Sequence, residues 1–157
     1  TEAGFALLLS NDATVLPDFP TIAHISAPIW AIRQKPVSAQ GTVGADALIG
    51  IIDELSHRYK MPDSSLIPET GVLITDNSVT VQSTHSEELT VVLDKLKIST
   101  MKKIAYAGMA LEQSNTMVSG VTLALAVQYV LESQQHTLVL CSGGERVRTA
   151  CLVTPQE

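Results

Sequence analysis

The chain has 157 residues, with 16 acidic side chains against 10 basic ones, a net charge of −6 and a pI of about 5.1. With 45% hydrophobic and 17% charged residues and a mean hydropathy of +0.23, it is expected to fold as one domain over 1–157 rather than stay disordered. The acidic balance argues against a nucleic-acid reader, and the longest apolar stretch, Val121 to Leu131, is too short to span a bilayer.

The first apolar run, Gly4 to Leu9, ends at Ser10-Asn11-Asp12 and predicts a strand buried on both faces. Pro17, Pro20, Pro28 and Pro36 mark the next stretch as loop, with one short strand near Ile22 to Ser26 and then a long connection. Gly41 to Gly44 opens a helix whose stripe is Leu48, Ile52, Leu55 and Tyr59, and Met61-Pro62 stops it. Gly71 to Thr75 and Val79 to Gln82 read as strands around an Asp76-Asn77-Ser78 turn. Thr84 and Glu87 form a capping box for a helix through Val91, Val92 and Leu96. Ile104 to Ala107 is a short strand.

Thr116 to about Ser133 is a helix that is apolar almost all round, as a helix sandwiched between layers would be. Its Ser119, Gly120, Ala124 and Ala126 allow close neighbours. Thr137 to Cys141 and Val147 to Val153 flank Ser142-Gly143-Gly144-Glu145 and predict a hairpin. Strands alternating with helices imply α/β layers, a mixed sheet with helices on both faces. Such an aliphatic short chain also suggests that part of its apolar surface is covered by another chain.

Cys141 and Cys151 are too few for a disulfide framework, and no signal-peptide pattern is present, so a reduced, cytoplasmic setting is expected. Thr1 in place of a Met suggests a processed end, a cleavage product or a cloning boundary. His24, His57 and His136 have no metal-ligand spacing, which argues against zinc. No P-loop, dinucleotide fingerprint or Gly-x-Ser-x-Gly elbow occurs.

Four segments, in order, resemble the C-terminal half of thiolase-fold condensing enzymes, most nearly the ketoacyl-acyl-carrier-protein synthase III group. They are Glu2 to Ser10, like the Gly-Ala-rich strand that opens that half; His85 at a helix start; Ser114-Asn115-Thr116, like the family's Gly-Asn-Thr-Ser; and Leu140 to Gly144, like its glycine-rich final loop. His85 and Asn115 stand 30 positions apart, about the family's His-to-Asn separation. Ser86-Glu87-Glu88 departs from the family's Gln-Ala-Asn after the His, and Ser114 from its Gly. Another register sets Thr75-Asp76-Asn77 at the histidine motif and gives a degenerate chain without that His; the His85 register keeps the spacing.

The resemblance implies acyl transfer or condensation of thioesters carried on coenzyme A or an acyl carrier protein, in fatty-acid, polyketide or secondary-metabolite synthesis. In that role His85 and Asn115 polarise the thioester carbonyl or enolate, and Gly143 and Gly144 approach the acyl carbonyl. No redox or metal cofactor is implied. The family's Cys nucleophile belongs to an N-terminal half that this chain lacks, so a partner subunit and an oligomer are expected. The alternative is a non-catalytic thiolase-like subunit that stabilises or shapes an active synthase. A third possibility is an unrelated α/β binding domain.

Each residue also has a plainer reading. His85 fits a polar surface turn, Asn115 an N-cap, Gly143-Gly144 a hairpin turn, and Cys141 a small buried hydrophobe. Lys95, Lys97, Lys102 and Lys103 fit a solvated helix end; the sharper reading makes Lys102 and Lys103 a docking patch for an acidic carrier protein or coenzyme A phosphates.

Overall fold

A computed structural model describes residues 21–36, 44–60, 72–76, 84–97, 104–107, 115–142 and 144–156. The strands predicted at Gly4 to Leu9 and Val79 to Gln82, and the Met61-Pro62 stop, lie outside these residues. The elements are β1 (Ala23–Ile25), β2 (Ile29–Ile32), α1 (Asp46–Tyr59), β3 (Leu73–Thr75), α2 (Thr84–Lys95), β4 (Ile104–Tyr106), α3 (Asn115–Ser133), β5 (Thr137–Cys141) and β6 (Val147–Pro155). Six strands make one mixed sheet in the order β1-β6-β5-β3-β4, with β2 also paired to β6. β3 is parallel to β4 and β5, while β6 runs antiparallel to β5, β1 and β2.

Side chains alternate across the sheet, so β3, β4, β5 and β6 each feed two cores. Leu73, Leu138, Leu140, Ala150 and Leu152 meet Leu48, Ile51, Ile52 and Leu55 of α1 and Leu89, Val92 and Leu96 from α2 and its end. Val72, Ile74, Val139, Cys151 and Val153 meet Ala126, Val127 and Val130 of α3 on the other side. The result is an α/β layered fold with helices on both faces, as the element order predicts. Among the described residues no helix is long and apolar enough to cross a membrane.

Four local expectations change. The long connection after β1 contains a second strand, β2, on the same edge of β6. Register shows why the pairing breaks and resumes: Ile25 faces Val153 and Ile29 faces Ala150, so residues 26–28 stand opposite 151 and 152 as a bulge. Pro28 supplies no N–H there, and Ser26 fills the gap. Its N–H donates to the Leu152 carbonyl at 2.8 Å and its Oγ accepts from the Leu152 N–H at 2.9 Å.

In α1 the buried stripe is Leu48, Ile51, Ile52 and Leu55, whereas Tyr59 in the last turn is exposed. That helix ends where Lys60 turns left-handed at φ 52° and donates its N–H to His57. In α2, Leu89 rather than Val91 joins Val92 and Leu96 in the core, and Val91 is exposed. In α3, Leu125 and Leu131 are exposed, so the described residues cover one flank of this helix rather than sandwich it.

Candidate functional site

The parallel strands β3, β4 and β5 end together: Thr75 pairs with Tyr106 on one side and Leu140 on the other. The carboxyl edge of a parallel sheet is where α/β folds gather binding groups, because loops and helix starts converge there. Just past β3, Asp76 Oδ1 accepts the N–H of Ser142, just past β5, at 2.7 Å. This bond ties two strand ends whose residues lie 66 positions apart in the chain.

Both later helices begin at this edge, on opposite faces of the sheet. Glu88, in the first turns of α2, bonds Arg148 of β6, one residue beyond the position that pairs with Cys141. Ser119, near the start of α3, hydrogen-bonds the Cys141 thiol. His85 is the second residue of α2, and Asn115 is the first of α3. The backbone therefore brings positions 85 and 115 to one edge, with the sheet between their helices.

Gly144, in the β5–β6 turn at the same edge, accepts Arg148 Nη1 on its carbonyl at 2.6 Å. A Cβ built at 144 would meet only the Val147 carbonyl at 3.7 Å, an ordinary contact, so packing does not demand glycine there. Gly143, Lys102 and Lys103 lie outside the described residues. Of the other lysines in the predicted basic cluster, Lys95 reaches across to Asp53 of α1 at 2.9 Å, and Lys97 follows the helix with φ 56°.

Cys141 is half-buried between the hydroxyls of Ser119 and Thr149. Its thiol is pushed up to about 12, chiefly by burial and then by the nearby Asp76 carboxylate, against the lowering effect of the two hydroxyl hydrogen bonds. Burial raises Cys151 to about 11. Both are thiols, not thiolates, at neutral pH, and a thiol is a poor nucleophile. Among the described residues no group of three or more His, Cys, Asp and Glu side chains could hold a metal.

The dominant charged feature was not anticipated. Glu88 and Arg148 are fully buried and Arg33 nearly so. Glu88 receives Arg33 Nε at 2.6 Å and Arg148 Nε at 2.8 Å. The sequence held a signal for two of the three. Glu88 lies one residue before Leu89 and four before Val92, on the buried side of α2, and Arg148 shares the inward parity of Ala150 and Leu152 in β6.

The six-stranded mixed sheet with helices on both faces is a thiolase-like fold by its likeness to solved structures. Similar solved structures are the Acat5 thiolase from Ascaris suum in complex with coenzyme A, with a TM-score of 0.58 and 11% identity over 94% of this chain and 34% of that one. The tetronic acid condensing enzyme AbyA1 aligns with a TM-score of 0.51 and 11% identity over 84% of this chain and 47% of that one. The chain thus spans about a third of the thiolase and about half of AbyA1. At this identity the likeness is one of fold. No protein-family profile and no curated protein sequence matches the chain.

Proposed function

We propose that this chain is the C-terminal half, or a C-terminal-half subunit, of a ketoacyl synthase III-like acyltransferase working in the cytoplasm. It transfers or condenses acyl groups held as thioesters on coenzyme A or an acyl carrier protein, and a partner of N-terminal-half size supplies the Cys nucleophile. One observation carries this reading: in a thiolase-like fold, the starts of α2 and α3 and the β5–β6 turn converge on one carboxyl edge.

In this role His85 and Asn115 donate to the carbonyl oxygen on which charge develops as a malonyl thioester loses carbon dioxide. A helix N-terminus favours the neutral imidazole, which donates one hydrogen bond without acting as a strong acid. Gly143 and Gly144 approach the acyl carbonyl, and Lys102 and Lys103 dock the carrier or the coenzyme A phosphates. No metal or redox cofactor takes part.

Native mass spectrometry of the complex purified from its source, then given malonyl-CoA, tests the reading. A second chain that gains an acyl mass on a cysteine supports it. A lone 16.8 kDa chain that takes no acyl group overturns it. Charge reversal at Lys102 and Lys103 should weaken carrier-protein binding, and unchanged binding rejects that patch.

Glu88 favours a second reading, a non-catalytic subunit that shapes an active synthase. It occupies the place where the resembling motif has Asn, and its carboxylate is committed to two arginines. His85→Ala in the assembled complex separates the two. Lost turnover with assembly intact means catalysis, whereas retained turnover means a scaffold.

A further inference from the structure

Glu88 is one anion shared by two buried cations. Its Oε1 accepts from Arg33 Nε at 2.6 Å and Arg148 Nη2 at 3.4 Å, and its Oε2 from Arg148 Nε at 2.8 Å. Arg148 Nη1 donates to the carbonyls of Gly144 and Val147, at 2.6 and 2.9 Å. Arg148 is therefore fully engaged. Arg33 Nη1, by contrast, is buried and has no hydrogen-bond partner among the described residues.

Within this cluster a surplus positive charge remains where water is largely excluded. A buried guanidinium donor left unmade is costly, because neither solvent nor protein replaces the bond. Three further features add positive potential at this corner, where the adjacent carboxylates, Glu87 and Glu145, are exposed to solvent. Arg33 donates its N–H to the Arg146 carbonyl, which places the exposed Arg146 beside it; exposed Lys35 follows two residues on; and α2 begins one turn before Glu88. Arg33 keeps 7% exposure just past the end of β2, so the residue borders solvent although Nη1 itself is buried.

We propose that Arg33 Nη1 is the inner anchor of a binding site for a small oxyanion, a carboxylate or phosphate group, which completes the charge balance of the Arg33–Glu88–Arg148 cluster. A guanidinium held by one carboxylate through Nε still presents Nη1 in a fixed direction, and carboxylate and phosphate oxygens accept such a charged donor. The site rests on the ion cluster alone and does not depend on the acyltransferase reading.

Arginine-selective 15N NMR of the full chain, titrated separately with inorganic phosphate and with malonate at constant ionic strength, tests it. The expected result is a saturable shift of a buried arginine Nη signal, and the tighter of the two anions identifies the preferred group. Arg33→Gln should weaken binding about tenfold or more by deleting a charge-assisted bond. Glu88→Gln should tighten it roughly threefold or more, because a second guanidinium loses its counter-charge. Arg58→Gln, which alters an exposed pair with Glu54 and an exposed bond to the Ala27 carbonyl but no member of the cluster, should change nothing. Absence of a saturable shift with either anion overturns the site, as does a shift that Arg33→Gln leaves intact. If Arg33→Gln does not fold, the wild-type titration and the direction of the Glu88→Gln change decide.

Discussion

Leu73, Leu138, Leu140 and Leu152 point to one side of the sheet, where α1 and α2 lie over them, whereas Val72, Ile74, Val139, Cys151 and Val153 point to the other, beneath α3. The first side has bulky aliphatic filling, and its helices turn charged residues outward beside one apolar residue each: Asp53, Glu54 and Arg58 are exposed, and so are Tyr59 and Val91. The second has smaller filling, and its helix turns Leu125 and Leu131 outward, 42% and 37% exposed. Polar groups divide in the same way. Ion pairs enter the first core, whereas the Cys141 thiol and the hydroxyls of Ser119 and Thr149 meet on the second side. Among the described residues, one face carries a largely charged outer surface, and the other ends in a helix with little charge whose outward leucines a further layer would cover.

The largest effect should come from the charged side. Glu88→Gln leaves two buried guanidiniums without a carboxylate and should cost about 3–5 kcal/mol in urea unfolding. Replacing Arg33, Glu88 and Arg148 together with Met, Leu and Met should recover most of that loss, since it removes the charges as well as their partner. A triple variant no more stable than Glu88→Gln would mean that the cluster organises this face through its geometry and not only its charge.

Next in size is a test of the two cores within β5. Leu140→Ala should cost about 3 kcal/mol and Val139→Ala about 2 kcal/mol, because the larger deletion leaves the larger cavity. Both side chains are buried, so the difference reads filling rather than exposure. Equal losses would mean that α3 relaxes less onto a cavity than α1 and α2 do.

Elements with a strong period were legible in the sequence. Leu48, Ile52 and Leu55 of the α1 stripe, the hairpin and the nearly all-apolar α3 follow from spacing alone, and so does the layered order. Features set by tertiary partners were not. β2 was hidden because Pro28 and its neighbours look like loop, and only pairing with β6 makes them a bulged edge. Ile51 and Leu89 replace Tyr59 and Val91 in the core because helix ends and packing angles choose among nearly equivalent positions. At the edge, Arg33 carries no local sign of burial; Glu88 and Arg148 gain theirs only when α2 is laid on β6.

The thiols on the α3 side should make stability pH-dependent in alkali. Both folded values lie above the ordinary 9.0, at about 12 for Cys141 and about 11 for Cys151. Above pH 9 the unfolded chain loses thiol protons that the folded chain keeps, so stability is whole below pH 9 and falls as pH rises toward 11. The loss should be of the order of 4 kcal/mol for the two thiols together between pH 9 and 11. A variant with Cys141→Ser and Cys151→Ala should lose most of that slope in urea titrations, leaving the smaller one from Tyr106, which burial also raises. A slope that survives undiminished would place its cause outside the α3 core.

The smallest change in stability should come from the outer flank of α3. Leu125→Ser with Leu131→Ser removes side chains that the described residues leave exposed, and should move the unfolding free energy of the isolated chain by about 0.5 kcal/mol or less. Its effect should appear in association instead. If this flank is the surface that another chain covers, the variant remains folded but no longer co-purifies with the partner, while Val91→Ser, at an exposed position on α2, does neither harm. A loss comparable to that of Leu140→Ala would mean the reverse, that residues of this chain already enclose α3. The contrast between the two faces would then disappear, because apolar all-round helices need cover and this one would have it from within.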